Sequence, residues 1–160
     1  MSLNYPWLTK QAQQIAEEIY NGRHAHAYLF HGPSGVGKAH LASELSRAAV
    51  CESAADDSMA CGQCRSCLLS EDGNHPDIKY VQVETGATQI TVDESRDLIE
   101  FYTLKSHYGV RKTSVILDSD KLNRNAANAL LKMVEEPPTE AVIFLTTSKI
   151  ANLPLTLRSR

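Results

Sequence analysis

Gly32-Pro33-Ser34-Gly35-Val36-Gly37-Lys38-Ala39 is the stretch that decides how this chain folds. It matches G-x4-G-K and departs at the next position, where Ala39 stands in place of Ser or Thr. Glycines at this spacing let backbone N–H groups converge on phosphate oxygens at a helix N-terminus, and Lys38 adds a point charge. The hydroxyl missing at Ala39 is the group that ordinarily ligates Mg²⁺. Upstream, Ala27 to His31 is a short apolar run that reads as a buried strand. Downstream, Leu41, Leu45, Ala48 and Ala49 fall on one helical stripe ending near Cys51. Strand before and helix after is the context a phosphate loop needs, so a P-loop fold is expected. Two uses of the loop stay open. Lys38 is either a phosphate contact or a solvated lysine at a helix start.

Working outward, Thr9 caps a predicted helix through Tyr20, with Ala12, Ile15, Ala16 and Ile19 on one face. His75-Pro76-Asp77 breaks the chain before a strand from Ile78 to Val83. Thr91 with Glu94 three residues on forms a capping box that opens a helix carrying Val92, Leu98, Ile99 and Tyr102. Ser114 to Leu117 reads as a third strand ending at Asp118, and Asn125 to Val134 as a helix stopped by Pro137-Pro138. Ala141 to Leu145 is a fourth strand, followed by a Thr146-Thr147-Ser148 turn. Strands alternating with helices give an α/β fold: a parallel P-loop NTPase-type sheet with helices on both faces. At 160 residues the chain is one domain.

Hydrolysis by a P-loop protein also needs two acidic residues after a buried strand, one for Mg²⁺ and one to activate water. The third strand delivers Asp118, but Ser119 follows it. Side chains alternate along a strand, so Asp120 is not expected to take the role of position 119. Asp118 is either a Mg²⁺-orienting residue or an ordinary cap. Two catalytic elements are missing together, and no intrinsic ATP turnover is expected.

The four cysteines, Cys51, Cys61, Cys64 and Cys67, lie within seventeen residues as C-x9-C-x2-C-x2-C. Two disulfides would suit an oxidising compartment, yet no secretory signal is visible. A tetrahedral four-thiolate zinc site fits the spacing, because x2 turns point sulfurs inward, and Gly62 suits the tight turn. Four ligands leave no open position, so the zinc would be structural and would fold a polar insert of about residues 51–73.

Composition sets the outer limits. Hydrophobic residues are 42% and charged residues 22%, which excludes disordered, collagenous and coiled-coil classes. The net charge of −3 provides no general basic field for nucleic acid. No run of apolar residues is long enough to span a membrane, and the expected location is the cytoplasm. The six histidines, at 24, 26, 31, 40, 75 and 107, form no metal pattern and read as surface or packing residues.

Several motifs together resemble bacterial DNA polymerase III clamp-loader subunits. The helix Asn125-Ala126-Ala127-Asn128-Ala129-Leu130-Leu131-Lys132, followed by Glu135-Glu136-Pro137-Pro138, is similar to their segment after the Walker B strand. Phe144-Leu145-Thr146-Thr147 sits where their sensor 1 lies, and Leu157-Arg158-Ser159-Arg160 resembles the start of their Ser-Arg-Cys motif. The cysteine insert and His75-Pro76-Asp77 resemble the family too, and the likeness runs from Tyr5-Pro6-Trp7 to Arg160. Ala39, Ser119 and the Tyr5-Pro6-Trp7-Leu8 start are similar to the delta prime branch, which lacks turnover, rather than to the gamma/tau ATPase.

The resemblance implies an AAA+ domain over residues 1–160, with a helical lid and a collar domain beyond. It implies a place in the clamp loader of the DNA-directed DNA polymerase holoenzyme, beside gamma/tau and delta subunits, the sliding clamp and primed DNA. By position it gives Arg160 the role of an arginine donated in trans to a neighbour's ATP. Thr146 becomes a sensor-1 residue or, without hydrolysis, a strand-end hydrogen bonder. An active gamma/tau-type ATPase is the alternative. An unrelated P-loop enzyme such as a nucleotide kinase would need further phosphate-binding arginines and a lid, and none is recognisable.

Overall fold

The computed structural model describes residues 5–53, 58–108, 111–138 and 140–159. The apolar runs Ala27–His31 (β1), Ile78–Val81 (β2), Lys112–Ile116 (β3) and Ala141–Thr147 (β4) form one parallel sheet in the order β1-β4-β3-β2. Between and around them lie Thr9–Tyr20 (α1), Lys38–Val50 (α2), Arg65–Glu71 (α3), Val92–Thr103 (α4), Arg124–Glu135 (α5) and Leu155–Arg158 (α6). The strand order explains where the helices sit. From β1 the chain crosses to the far edge through α2, then steps back one strand at a time through α4 and α5. Right-handed crossovers running in opposite directions along a sheet place their helices on opposite faces.

Two cores follow. Residues of α1 and α2 pack on Tyr28, Phe30, Val115, Val142 and Phe144. Residues of α4 and α5 pack on Ala27, Leu29, Ile116, Ile143 and Leu145. The alternation within β4, with Val142 and Phe144 on one side and Ala141, Ile143 and Leu145 on the other, is the strand period itself. Because both faces are covered, all seven β4 residues are buried, and the strand reads as an apolar run. Among the described residues, no helix is long and apolar enough to cross a membrane.

The structure adjusts several expected boundaries. Thr9 does not cap α1: the chain arrives through a 3₁₀ turn at Pro6–Leu8, so Leu8 is the N-cap and Thr9 already helical. β2 stops at Val81 instead of Val83, because its last partner, Ile116, ends β3. β3 starts two residues early, at Lys112, which sequence patterning hides behind a charge. The buried Lys112 ammonium donates to the Phe101 carbonyl (2.5 Å) in the last turn of α4 and lies 4.2 Å over the Phe101 ring. Its burial lowers its pKa from the ordinary lysine value. The expected capping box of α4 is present, with Glu94 accepting from the Thr91 backbone N–H (2.5 Å) and hydroxyl (2.9 Å).

The His75-Pro76-Asp77 break is a buckle. The Asp77 carboxylate accepts backbone N–H groups of His107 (2.8 Å) and Tyr108 (3.1 Å), and the buried His75 Nδ1 accepts from the Asp77 N–H (3.0 Å). The buried His75 is a packing residue, one of the two readings left open for the histidines, and its burial pushes its pKa below the ordinary histidine value.

The N-terminal segment closes on the loop between β1 and α2. Trp7 Nε1 donates to the Val36 carbonyl at 3.2 Å, and the Tyr5 ring meets Trp7 edge-on at 5.4 Å. Gly37 is held at φ +95°, and a Cβ there would lie 2.7 Å from Tyr5 ring carbons and 3.0 Å from Leu8. Glycine is thus required twice, for backbone conformation and for space. Gly37→Ala is expected to cost about 1–3 kcal/mol of unfolding free energy. It should also change the emission intensity of Trp7, the single tryptophan, as its contacts with the Val36 carbonyl and the Tyr5 ring loosen. An unchanged denaturation midpoint together with unchanged emission would show that Tyr5 and Trp7 do not seat on the loop.

Candidate functional site

The residues singled out around the phosphate loop converge at the carboxyl ends of β1, β4 and β3, which are adjacent in the sheet. In open parallel sheets, ligands bind in the crevice outside these ends. After His31 the Gly32 N–H donates to the Thr147 carbonyl (3.3 Å), fixing the loop's first residue to the end of β4. Pro33, Ser34 and Gly35 are exposed, Val36 is half-buried, and Gly37 forms the N-cap of α2. Lys38, the first residue of α2, turns its ammonium back onto the loop, donating to the carbonyls of Gly32 and Pro33 at 2.8 Å each. Ala39 is exposed one position on and has only a methyl group, so it brings no oxygen ligand to the loop.

The segment after β3 departs from what strand alternation predicts. β3 ends at Ile116, and Asp118 turns into the left-handed region (φ 49°, ψ 52°), starting a 3₁₀ turn over Ser119–Lys121. Alternation therefore does not govern residues 118–120. The Asp118 carboxylate pairs with Lys121 at 3.1 Å, and its backbone N–H donates to Thr146 Oγ1 at 3.1 Å. Ser119 is buried and donates its hydroxyl to the Thr146 carbonyl (2.9 Å). Asp120 swings toward β4, where its carboxylate accepts the Thr147 hydroxyl at 2.6 Å. Sequence reasoning discounted Asp120 on a strand period that does not reach it. The turn also gives Thr146 a strand-end hydrogen bond, one of its two expected uses. Arg160 lies outside the described residues.

The second cluster is built by three short pieces of chain. Cys51 is the C-cap of α2 and leaves the helix in an extended conformation. Cys61-Gly62-Gln63-Cys64 is a tight turn with Gly62 at φ +73°, and Cys61 Sγ accepts the N–H groups of Gln63 (3.5 Å) and Cys64 (3.4 Å). Cys64 caps α3, its sulfur accepting from the Cys67 N–H at 3.4 Å. The Cys61 N–H in turn donates to Cys51 Sγ (3.4 Å). The helix α3 that carries Cys67 was not foreseen, because seven residues are too few to show a period.

All four sulfurs lie within 4.8 Å of one another. Three of the cluster's edges are 3.9 Å for Cys51–Cys64, 3.8 Å for Cys61–Cys67 and 3.6 Å for Cys51–Cys67. A tetrahedron with metal–sulfur bonds of about 2.3 Å has edges of about 3.8 Å, whereas a disulfide bond is about 2.05 Å. The donor set therefore has the size of a tetrahedral thiolate centre. Backbone N–H groups, Gln63 first and Cys64 next, pull the Cys61 thiol down to about 6, while burial pushes Cys51 and Cys67 up. A Cys61 thiol that ionises more readily than its buried neighbours would offer a cation its first ligand, and binding would release protons from the others.

Comparison with known proteins agrees with this architecture. A family model described as DNA polymerase III, delta subunit, matches residues 7–160. The chain is 39% identical over 158 residues to the DNA polymerase III subunit delta' of Pseudomonas aeruginosa, covering 98% of this chain and 46% of that protein. It is 36% identical over 156 residues to the delta' of Escherichia coli, with the same two coverages. It thus spans about half the length of these relatives. Among solved structures, a Thermotoga maritima protein related to the DNA polymerase III gamma subunit superposes with a TM-score of 0.61 at 20% identity, covering 95% of this chain and 43% of that one. The Thermotoga maritima RuvB Holliday junction branch migration motor superposes at 0.54 with 17% identity, covering 97% and 42%. These two likenesses show an AAA+-type fold. The extent of the family match and the identity to two delta' subunits place the chain in the DNA polymerase III delta prime family of clamp-loader subunits.

Proposed function

We propose that this chain is the AAA+ domain of a clamp-loader subunit that does not turn over ATP. It works in the cytoplasm with gamma/tau and delta subunits to place the sliding clamp on primed DNA. The observation that carries this reading is the pairing of Ala39 with a buried Ser119. The first brings no hydroxyl for a magnesium ion, and the second is committed to the Thr146 carbonyl. Lys38, bonded to two carbonyls of its own loop, adds to it. Nucleotide held at residues 32–39, with Asp118 and Thr146 nearby, would be bound without being hydrolysed. In this reading Arg160 supplies a guanidinium in trans to a neighbour's γ-phosphate, a role suited to a planar, permanently charged donor. The lid and collar domains follow beyond residue 160.

The same reading places one structural zinc ion on Cys51, Cys61, Cys64 and Cys67, supported by the sulfur spacing. The protein is expected to hold about one zinc per chain by elemental analysis. Cys64→Ser should lose the metal and loosen residues 51–73 to proteolysis while the sheet stays folded, because Met59 is the one residue of the module in either sheet core among the described residues. Zinc-free protein isolated under reducing, chelator-free conditions would remove this part of the proposal.

Reconstitution tests the rest. The chain alone is expected to show no ATP turnover above background, and a measurable rate abolished by Lys38→Ala would favour the motor-type alternative. In the full-length protein assembled with gamma/tau, delta, clamp and primed DNA, Arg160→Ala should leave assembly and zinc content intact and reduce stimulated hydrolysis. The reduction is partial, because one of several ATP sites is affected, although a trans guanidinium is worth about 10³–10⁵ in GTPases. Arg160→Lys should not restore the rate. Unchanged turnover and clamp loading by the alanine variant would leave a scaffold without a trans-acting arginine.

A further inference from the structure

The residue after the first cysteine reaches across the module to the residue just before the last. Glu52 Oε1 accepts both the backbone N–H of Ser66 (3.1 Å) and its hydroxyl (2.9 Å). Ser66 is fully buried, at 0% exposure, so both of its donors need partners inside the protein. Glu52 adjoins Cys51, and Ser66 stands between Cys64 and Cys67. The two hydrogen bonds thus close the loop between the first ligand-bearing segment and the Cys64-x2-Cys67 turn, with neither partner a metal ligand.

We infer that the Glu52–Ser66 tie is a positioning device that assembles the four-sulfur site before metal arrives. This rests on the proposed metal reading of the cysteines. The tie adds a direct link between the Cys51 and Cys64–Cys67 segments to the packing of α2 on α3 and the contacts of the sulfurs. Closing the loop between those segments costs chain entropy, and a tie already made in the metal-free protein removes the cost from the binding step. Electrostatics alone would not select Glu at this position. Four thiolates around a divalent cation have net negative charge, and a carboxylate beside them adds to it. What Glu52 supplies is one acceptor oxygen placed to take both donors of a single buried serine. An acceptor without charge should therefore serve nearly as well.

The experiment measures zinc dissociation constants for the full-length protein by competition with a chromogenic chelator, alongside the thiolate-to-metal bands of the cobalt-substituted form. Glu52→Ala is expected to weaken zinc binding about 10–100-fold, the range seen when outer-shell partners of metal ligands are removed. Glu52→Gln, which keeps an acceptor oxygen, should stay within a few-fold of the parent. Ser66→Ala, which loses the hydroxyl bond and keeps the backbone bond, should weaken binding by a smaller factor than Glu52→Ala. Glu52→Ala binding as tightly as the parent, or Glu52→Gln as weak as Glu52→Ala, overturns the assignment. If Glu52→Ala unfolds, equal affinities of Ser66→Ala and the parent overturn it. A parent protein that takes up no zinc defeats the underlying metal reading instead, so the two failures are distinguishable.

Discussion

Every backbone N–H and C=O of β4 has to find its partner inside the protein, because all seven of its residues are buried. Parallel ladders to β1 on one side and β3 on the other meet that demand, with Ile143 to Thr147 paired to β1 and Ala141 to Leu145 to β3. The stagger leaves the last two residues, Thr146 and Thr147, beyond the end of β3. Their polar groups then bind what lies beside them: Gly32, Asp118, Ser119 and Asp120. The loop that opens at Gly32 and the turn after β3 are thus held by the end of one buried strand. Phe144, stacked against Tyr28 and Phe30, anchors the same strand from within the α1/α2 core.

One helix links the two sites. α2 starts at Lys38 in the loop and ends at Val50, with Cys51 as its cap, so the loop lysine and the first metal-ligand candidate are separated by about 20 Å of rigid rod. This explains how a polar insert poor in apolar residues stays anchored. One side is fixed by α2, which packs across the sheet, and another by Arg65, whose guanidinium lies 4.7 Å over Tyr108 in the loop held by Asp77.

Around the loop of residues 32–38, the side chains singled out by the sequence are turned to bonds within the protein. Lys38 is occupied by carbonyls, Asp118 by Lys121, and Ser119 by Thr146. Tyr5 and Trp7 add a cover of aromatic surface whose contacts depend on Gly37 having no side chain.

Local pattern alone was sufficient for the parallel α/β class, the loop, the four cysteines, the end of α1 and the bounds of β1. Each is written in a short window, by apolar period, glycine spacing or cysteine spacing. Helix α3, the start of β3 at Lys112 and the Thr146–Thr147 end of β4 were less legible, since a seven-residue helix shows no period and polar residues disguise buried strand positions. Only tertiary structure decided the roles of Asp118, Ser119 and Asp120, because a left-handed turn, not the strand period, aims their side chains. It alone also revealed Tyr5 against Gly37 and Glu52 on Ser66. Such contacts join residues 14 to 32 positions apart, and a chain reports its neighbours in sequence while the fold selects its neighbours in space.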